Sequence, residues 1–105
     1  MRSDRKERLE SAGWKVGDAK DFLGLTEAEA ALVDVRVSLA RELRRRRLSK
    51  SLSQEALARR IGSSQSRVAR MEAGHPSVSL DLLIRSLFTA GSTRSDIGRV
   101  IAKAY

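Results

Sequence analysis

Two short helix-like segments, QEALARRI and QSRVARMEA, are separated by only three residues, Gly62, Ser63 and Ser64. Ser53 and Ser64 stand directly before them, where a hydroxyl oxygen accepts the free amides of a first helical turn. Gly62 and Gly74 stand directly after them, where a left-handed residue closes a helix. A link this short, with a glycine free to take positive φ, drives the second helix sharply across the first. Leu57, Ala58 and Ile61 then share the inner side of the first helix, and Val68 and Met71 that of the second. The small side chain of Ala58 lets the helices approach closely, so a valine or larger there would clash.

The rest of the chain carries the same punctuation. Thr26 opens TEAE, a capping box whose threonine oxygen and Glu29 carboxylate cover the first amides of a helix. Leu32, Val35, Leu39 and Leu43 follow as one apolar stripe on a helix running from Glu27 to about Leu48. Its acids lie early and Arg44 to Arg47 late, as the helix dipole favours. Ser79 precedes LDLLIRSLFTA and Gly91 follows it, and Thr93 caps RSDIGRVIAKAY, whose Ile97, Val100, Ile101 and Ala104 form a last amphipathic face. No stretch alternates as a half-buried strand does. The expectation is an all-α fold, a compact helical bundle of about five helices. Residues 1–12 hold one large apolar residue among dense mixed charge and read as a flexible arm. Residues 13–25 read as a short apolar extension, with Asp18 and Gly24 bracketing one helical turn, and residues 26–105 as the domain, its functional helix pair over 53–74.

Composition narrows the chemistry. With no cysteine and a single histidine, neither a thiolate site nor a histidine cluster can form, so no metal and no cofactor are expected. A nucleophile beside its base, a carboxylate pair or a phosphate loop is missing too, so no catalytic residue is assigned. No apolar run approaches the length of a membrane span and no secretion signal opens the chain, which points to the cytoplasm. Lys and Arg number 21 against 13 acids, a formal charge of +8 that attracts polyanions. Single-stranded RNA readers stack bases on exposed aromatics, and only four aromatics are available here. A membrane-surface helix would need Leu32, Leu39 and Leu43, which are better used as core in so small a chain.

On the second helix of the pair, taking ~100° per residue, Val68 and Met71 centre the inner side. Ser66, Ala69, Arg70 and Ala73 fall opposite, with Gln65 at the leading edge. An arginine that forks to guanine, a glutamine that pairs with adenine and an alanine that meets a thymine methyl suit the major groove of a DNA duplex. Gln65, Ser66, Ala69 and Arg70 are therefore the expected base readers, each contact discriminating by ~1–3 kcal/mol. Gln54, Ser64 and Arg67 sit at helix starts and His75 and Ser77 in the following loop, where donors meet phosphate.

The stretch LSQEALARRIGSSQSRVARMEAGHPSVSLDLLIRSLFTAG resembles the phage-repressor or xenobiotic-response-element (XRE) helix-turn-helix family, over about residues 39–91. The resemblance lies in a glutamine opening the first helix, an alanine at the inter-helix contact, a turn glycine, SQS at the reading-helix start and Glu-x-Gly at its end. It implies that Arg47, seven positions before Gln54, pairs with Glu72 and anchors the reading helix. GWKVGDAKDFLGLTEAEAALVDVRVSLARELR, joined to SQSRVARMEAG and SVSLDLLIRSL, is similar to HigA-type antitoxins and stand-alone XRE regulators. That similarity implies a bacterial homodimer on a palindromic operator at the nucleoid and, where a toxin gene adjoins, direct neutralisation of an mRNA-cleaving toxin protein.

One reading helix covers too few base pairs for genomic selectivity, so a two-fold dimer with half-sites roughly 34 Å apart is expected. The first choice for its interface is Leu87, Phe88, Ile97, Val100 and Ile101; the alternative is the Trp14–Leu25 segment lying across a partner.

Overall fold

A computed structural model describes residues 26–103 of the protein. The expected arm, the Trp14–Leu25 extension, Ala104 and Tyr105 lie outside the described residues. Five helices follow one another: α1 Glu27–Ser49, α2 Gln54–Ile61, α3 Gln65–Glu72, α4 Leu80–Thr89 and α5 Arg94–Lys103, with no strand among the described residues. The all-α expectation is met. Two compact units divide between Asp34 and Val35, so the first turns of α1 belong to one and the remaining helices to the other.

In the first unit, Thr26 Oγ1 accepts from the Glu29 amide at 3.0 Å, the cap expected of TEAE. Leu32 is 45% exposed and stands outside the core cluster, so the expected stripe packs only from Val35 onward.

In the second unit the caps are where the serines stand. Ser53 Oγ accepts from Ala56 N at 3.0 Å, Ser64 Oγ from Arg67 N at 3.2 Å and Ser79 Oγ from Leu82 N at 3.0 Å. Thr93 Oγ1 accepts from Asp96 N at 3.1 Å while Asp96 Oδ2 accepts from Thr93 N at 2.9 Å, a reciprocal box opening α5. Leu39 and Leu43 of α1, Leu57 of α2, Val68 and Met71 of α3, and Leu83 and Leu87 of α4 are fully buried together. Ile97 seats α5 against this aliphatic core. Phe88, the one aromatic among the described residues, is outside it at 47% exposure. Two expected interface residues thus need correction: Leu87 is fully buried and Ile97 nearly so, because the monomer uses both to close its own core. Phe88, Ile101 and the open edge of half-buried Val100 remain at the surface.

Candidate nucleic-acid interface

Gly62 adopts φ +67°, and its amide and that of Ser63 turn back to Arg59 and Ala58, the Ser63 N to Ala58 O bond measuring 2.8 Å. A side chain at Gly62 would meet nothing, so the glycine is required for its left-handed backbone rather than for packing space. α3 then crosses onto α2 through Leu57, Ala58, Val68 and Met71, all buried, with Ile61 half-buried at the edge. Each apolar side chain sunk on this inner side turns its opposite neighbour outward.

The outward face of α3 holds the expected residues. Gln65, Ser66, Arg67 and Arg70 are exposed, and Ala69 is half-buried between them. Arg67 and Arg70 have neither an ion pair nor a side-chain hydrogen bond among the described residues, so both guanidinium groups are free to meet an external acceptor.

A chain of charge-assisted contacts holds this face in place. Arg47 Nε donates to Glu72 Oε2 at 2.6 Å and its terminal nitrogens donate to Glu72 Oε1 at 3.0 Å and to Leu52 O at 2.8 Å. The geometry is a two-pronged fork on a carboxylate whose side chain is only 4% exposed. Hydrogen bonding to Glu72 raises the Arg47 pKa above the ordinary guanidinium value, so its charge is permanent. Gln54 Nε2 also donates to Glu72 Oε1, at 3.2 Å, and Gln54 Oε1 accepts from Gln65 Nε2 at 2.7 Å. Arg47, Glu72, Gln54 and Gln65 therefore form one relay from the end of α1 to the leading edge of α3. Gln65 keeps one N–H and its carbonyl oxygen for a base edge, the pair an adenine needs.

The structure brings together only part of the expected phosphate set. Ser64 caps α3 and lies 3.3 Å from Ser66 Oγ. Gln54 sits at the start of α2 as expected, yet its carbonyl is committed to Gln65 and one N–H to Glu72. His75 Nδ1 accepts from Ser77 N at 3.0 Å and stands 2.7 Å from Ser77 Oγ, so these two residues tie their own loop. Gly74, at φ +69°, lets that loop lie against Val37 and Ala40 of α1, 3.6–3.9 Å from where a side chain would begin.

Sequence reasoning missed several holders. Arg36 Nη1 donates to Val78 O and pins the approach to α4 from α1. Arg46 bridges Glu42 at 3.2 Å and Asp96 at 2.7 Å, joining α1 to α5. Neither pairing has a local signal, since the partners stand 42 and 50 positions apart. The Thr93-x-x-Asp96 box was readable from spacing alone. Among the described residues no group of His, Asp or Glu is arranged to hold a metal ion, and no helix is long and apolar enough to cross a membrane.

Residues 43–85 match the model of a protein family described as helix-turn-helix. No curated protein and no solved structure matches the chain. The matched residues run from the last turns of α1 through α2 and α3 into α4, the same stretch that carries the crossed helix pair, the relay and the outward arginines. Over residues 43–85 the chain is thus similar to the helix-turn-helix family.

Proposed function

We propose that the protein is a transcriptional regulator that reads a palindromic operator through the major groove as a homodimer and represses its own gene. The observation that carries this is the division of α3: Val68 and Met71 are fully buried, while Arg67 and Arg70 stand outward with no side-chain partner among the described residues, beside a Gln65 already oriented by Gln54. Gln65, Ser66, Ala69 and Arg70 read bases. Arg67 and Ser64, with Gln54 through its remaining N–H and the His75–Ser77 loop, position the backbone. A regulator of this kind works at the bacterial nucleoid, in the cytoplasm.

Selecting bound fragments from the host genome tests the reading, with Arg70→Ala as the diagnostic variant. It is expected to relax preference at one base pair by about 1–3 kcal/mol and to leave binding to unrelated duplexes intact. Equal weakening on every sequence would remove Arg70 from base reading.

A second reading makes toxin capture the main task, with DNA binding as autoregulation. Leu32 and Val33, at 45% and 49% exposure on the first turns of α1 and outside the family match, favour it by leaving apolar surface that the residues of the family match do not include. Co-purification with the product of the adjoining gene, and loss of that product's nuclease activity, would establish this role. Tight operator binding without such a complex leaves a plain regulator.

A further inference from the structure

Among the described residues two basic depressions differ in kind. One, over α1 and α5, brings Arg45, Arg46, Arg99 and Lys103 together with Glu42 and Asp96, and its three arginines are each already bonded to a carboxylate. The other is a groove between α3 and α4. Its first section, about 370 Å³, is lined by Arg67, Arg70, Arg85, Ser77 and Ser79 above an apolar floor at Leu82. A second section of about 290 Å³ shares Arg67, Leu82 and Arg85 and continues past Gly62 and Ser63 to Thr89. No acidic side chain lines either section.

Leu82, Arg85, Ser86 and Thr89 follow the three-and-four spacing of one helix face, so α4 presents a continuous wall opposite Arg67. The carboxylate nearest Arg85 is Asp81, one turn earlier at 3.6 Å, with side chains 70% and 84% exposed. A pair so solvated holds its arginine weakly. Arg67 and Arg70 have no carboxylate at all among those ion pairs. An elongated, carboxylate-free groove with an arginine on each wall is complementary to an extended polyanion. It opens beside the reading face, since Arg70 belongs to both.

We propose that this groove takes the sugar–phosphate backbone of the DNA strand flanking the bases read by α3, with Arg67 and Arg85 holding phosphates from opposite walls and the Ser79 hydroxyl donating at its end. Arg85 becomes a positioning residue on a helix that touches no base. The proposal rests on the reading that duplex DNA lies against α3.

The test is a salt titration of the whole protein on a random-sequence duplex of about three helical turns, followed as log K against log salt concentration. Arg85→Ala is expected to make the slope shallower by about 0.9, one phosphate contact, while Arg85→Lys keeps it. Because Arg85 is exposed, the variant should melt with the unsubstituted protein. Arg99→Ala, an equal charge loss in the other depression, should leave the slope in place. An unchanged slope for Arg85→Ala with duplex binding intact overturns the groove and leaves the DNA reading standing. An equal change for Arg99→Ala also overturns it, because net charge alone would then account for the effect. Failure of the unsubstituted protein to bind any duplex overturns both.

Discussion

Four adjacent arginines meet four different fates. Arg44 is exposed, Arg45 pairs with Glu42 at the surface, Arg46 spans Glu42 and Asp96, and Arg47 is sealed against Glu72. Their separation was legible, since successive helical residues splay by ~100° and cannot share a face. The partner of Arg47 was legible only through family resemblance, and that of Arg46 not at all, because nothing within α1 marks a carboxylate on α5. Breaking the sealed pair strands a buried charge, so Arg47→Ala is expected to cost about 3–5 kcal/mol in urea unfolding. It should also weaken duplex binding, because the relay that orients Gln65 passes through Glu72. Arg45→Ala, whose side chain is 63% exposed, should leave the midpoint near that of the unsubstituted protein. Equal losses in the two variants would deny the relay its anchoring role.

The helices themselves were the most legible level, because their starts are chemical events at single residues. Ser53, Ser64, Ser79 and Thr93 each cap the helix that spacing assigned to them, and the expected ends differ by a residue or so where α3 stops at Glu72 and α4 at Thr89. Less legible was how α5 is held, which depends on Ile97 and on the Arg46–Asp96 bridge across elements. Hydrogen bonds from Thr93, its backbone amide first, hold Asp96 below the usual carboxylate range, with Arg46 and Arg99 adding to them. Arg45 does the same to Glu42, chiefly through a side-chain hydrogen bond. Both carboxylates bind a proton more weakly in the folded protein than in the unfolded chain. Their stabilisation is therefore complete above the ordinary carboxylate pKa of about 4 and is lost as pH falls through the lower folded values. The melting temperature should fall as pH drops from about 5 to about 3, and Asp96→Asn should start lower at neutral pH and fall less over that interval. An Asp96→Asn curve parallel to that of the unsubstituted protein would assign the acid sensitivity elsewhere.

At the scale of the whole molecule, the apolar face of α5 carries two meanings that a helical wheel does not separate. Ile97 closes the monomer's core, whereas Ile101, one turn on, is 39% exposed, and Phe88 on α4 is 47% exposed. An amphipathic stripe shows only that a face seeks apolar contact; whether the contact is its own core or a second copy depends on packing between helices distant in sequence. Leu87 and Ile97 went to the core, so the dimer surface proposed here shrinks to Phe88, Ile101 and the edge of Val100. Three side chains are fewer than a stable interface of about 1,000 Å² requires, so polar neighbours on α4 and α5 must complete it. This makes Ile101→Asp a cleaner probe than a change at Val100, which also packs against the monomer core. Ile101→Asp should reduce the mass in light scattering to that of one chain with the melting temperature little changed. It should weaken binding to a full operator far more than to an isolated half-site, because one reading helix then works alone. A dimer mass that survives the substitution would move the interface off α5 and make residues 13–25 the next surface to test.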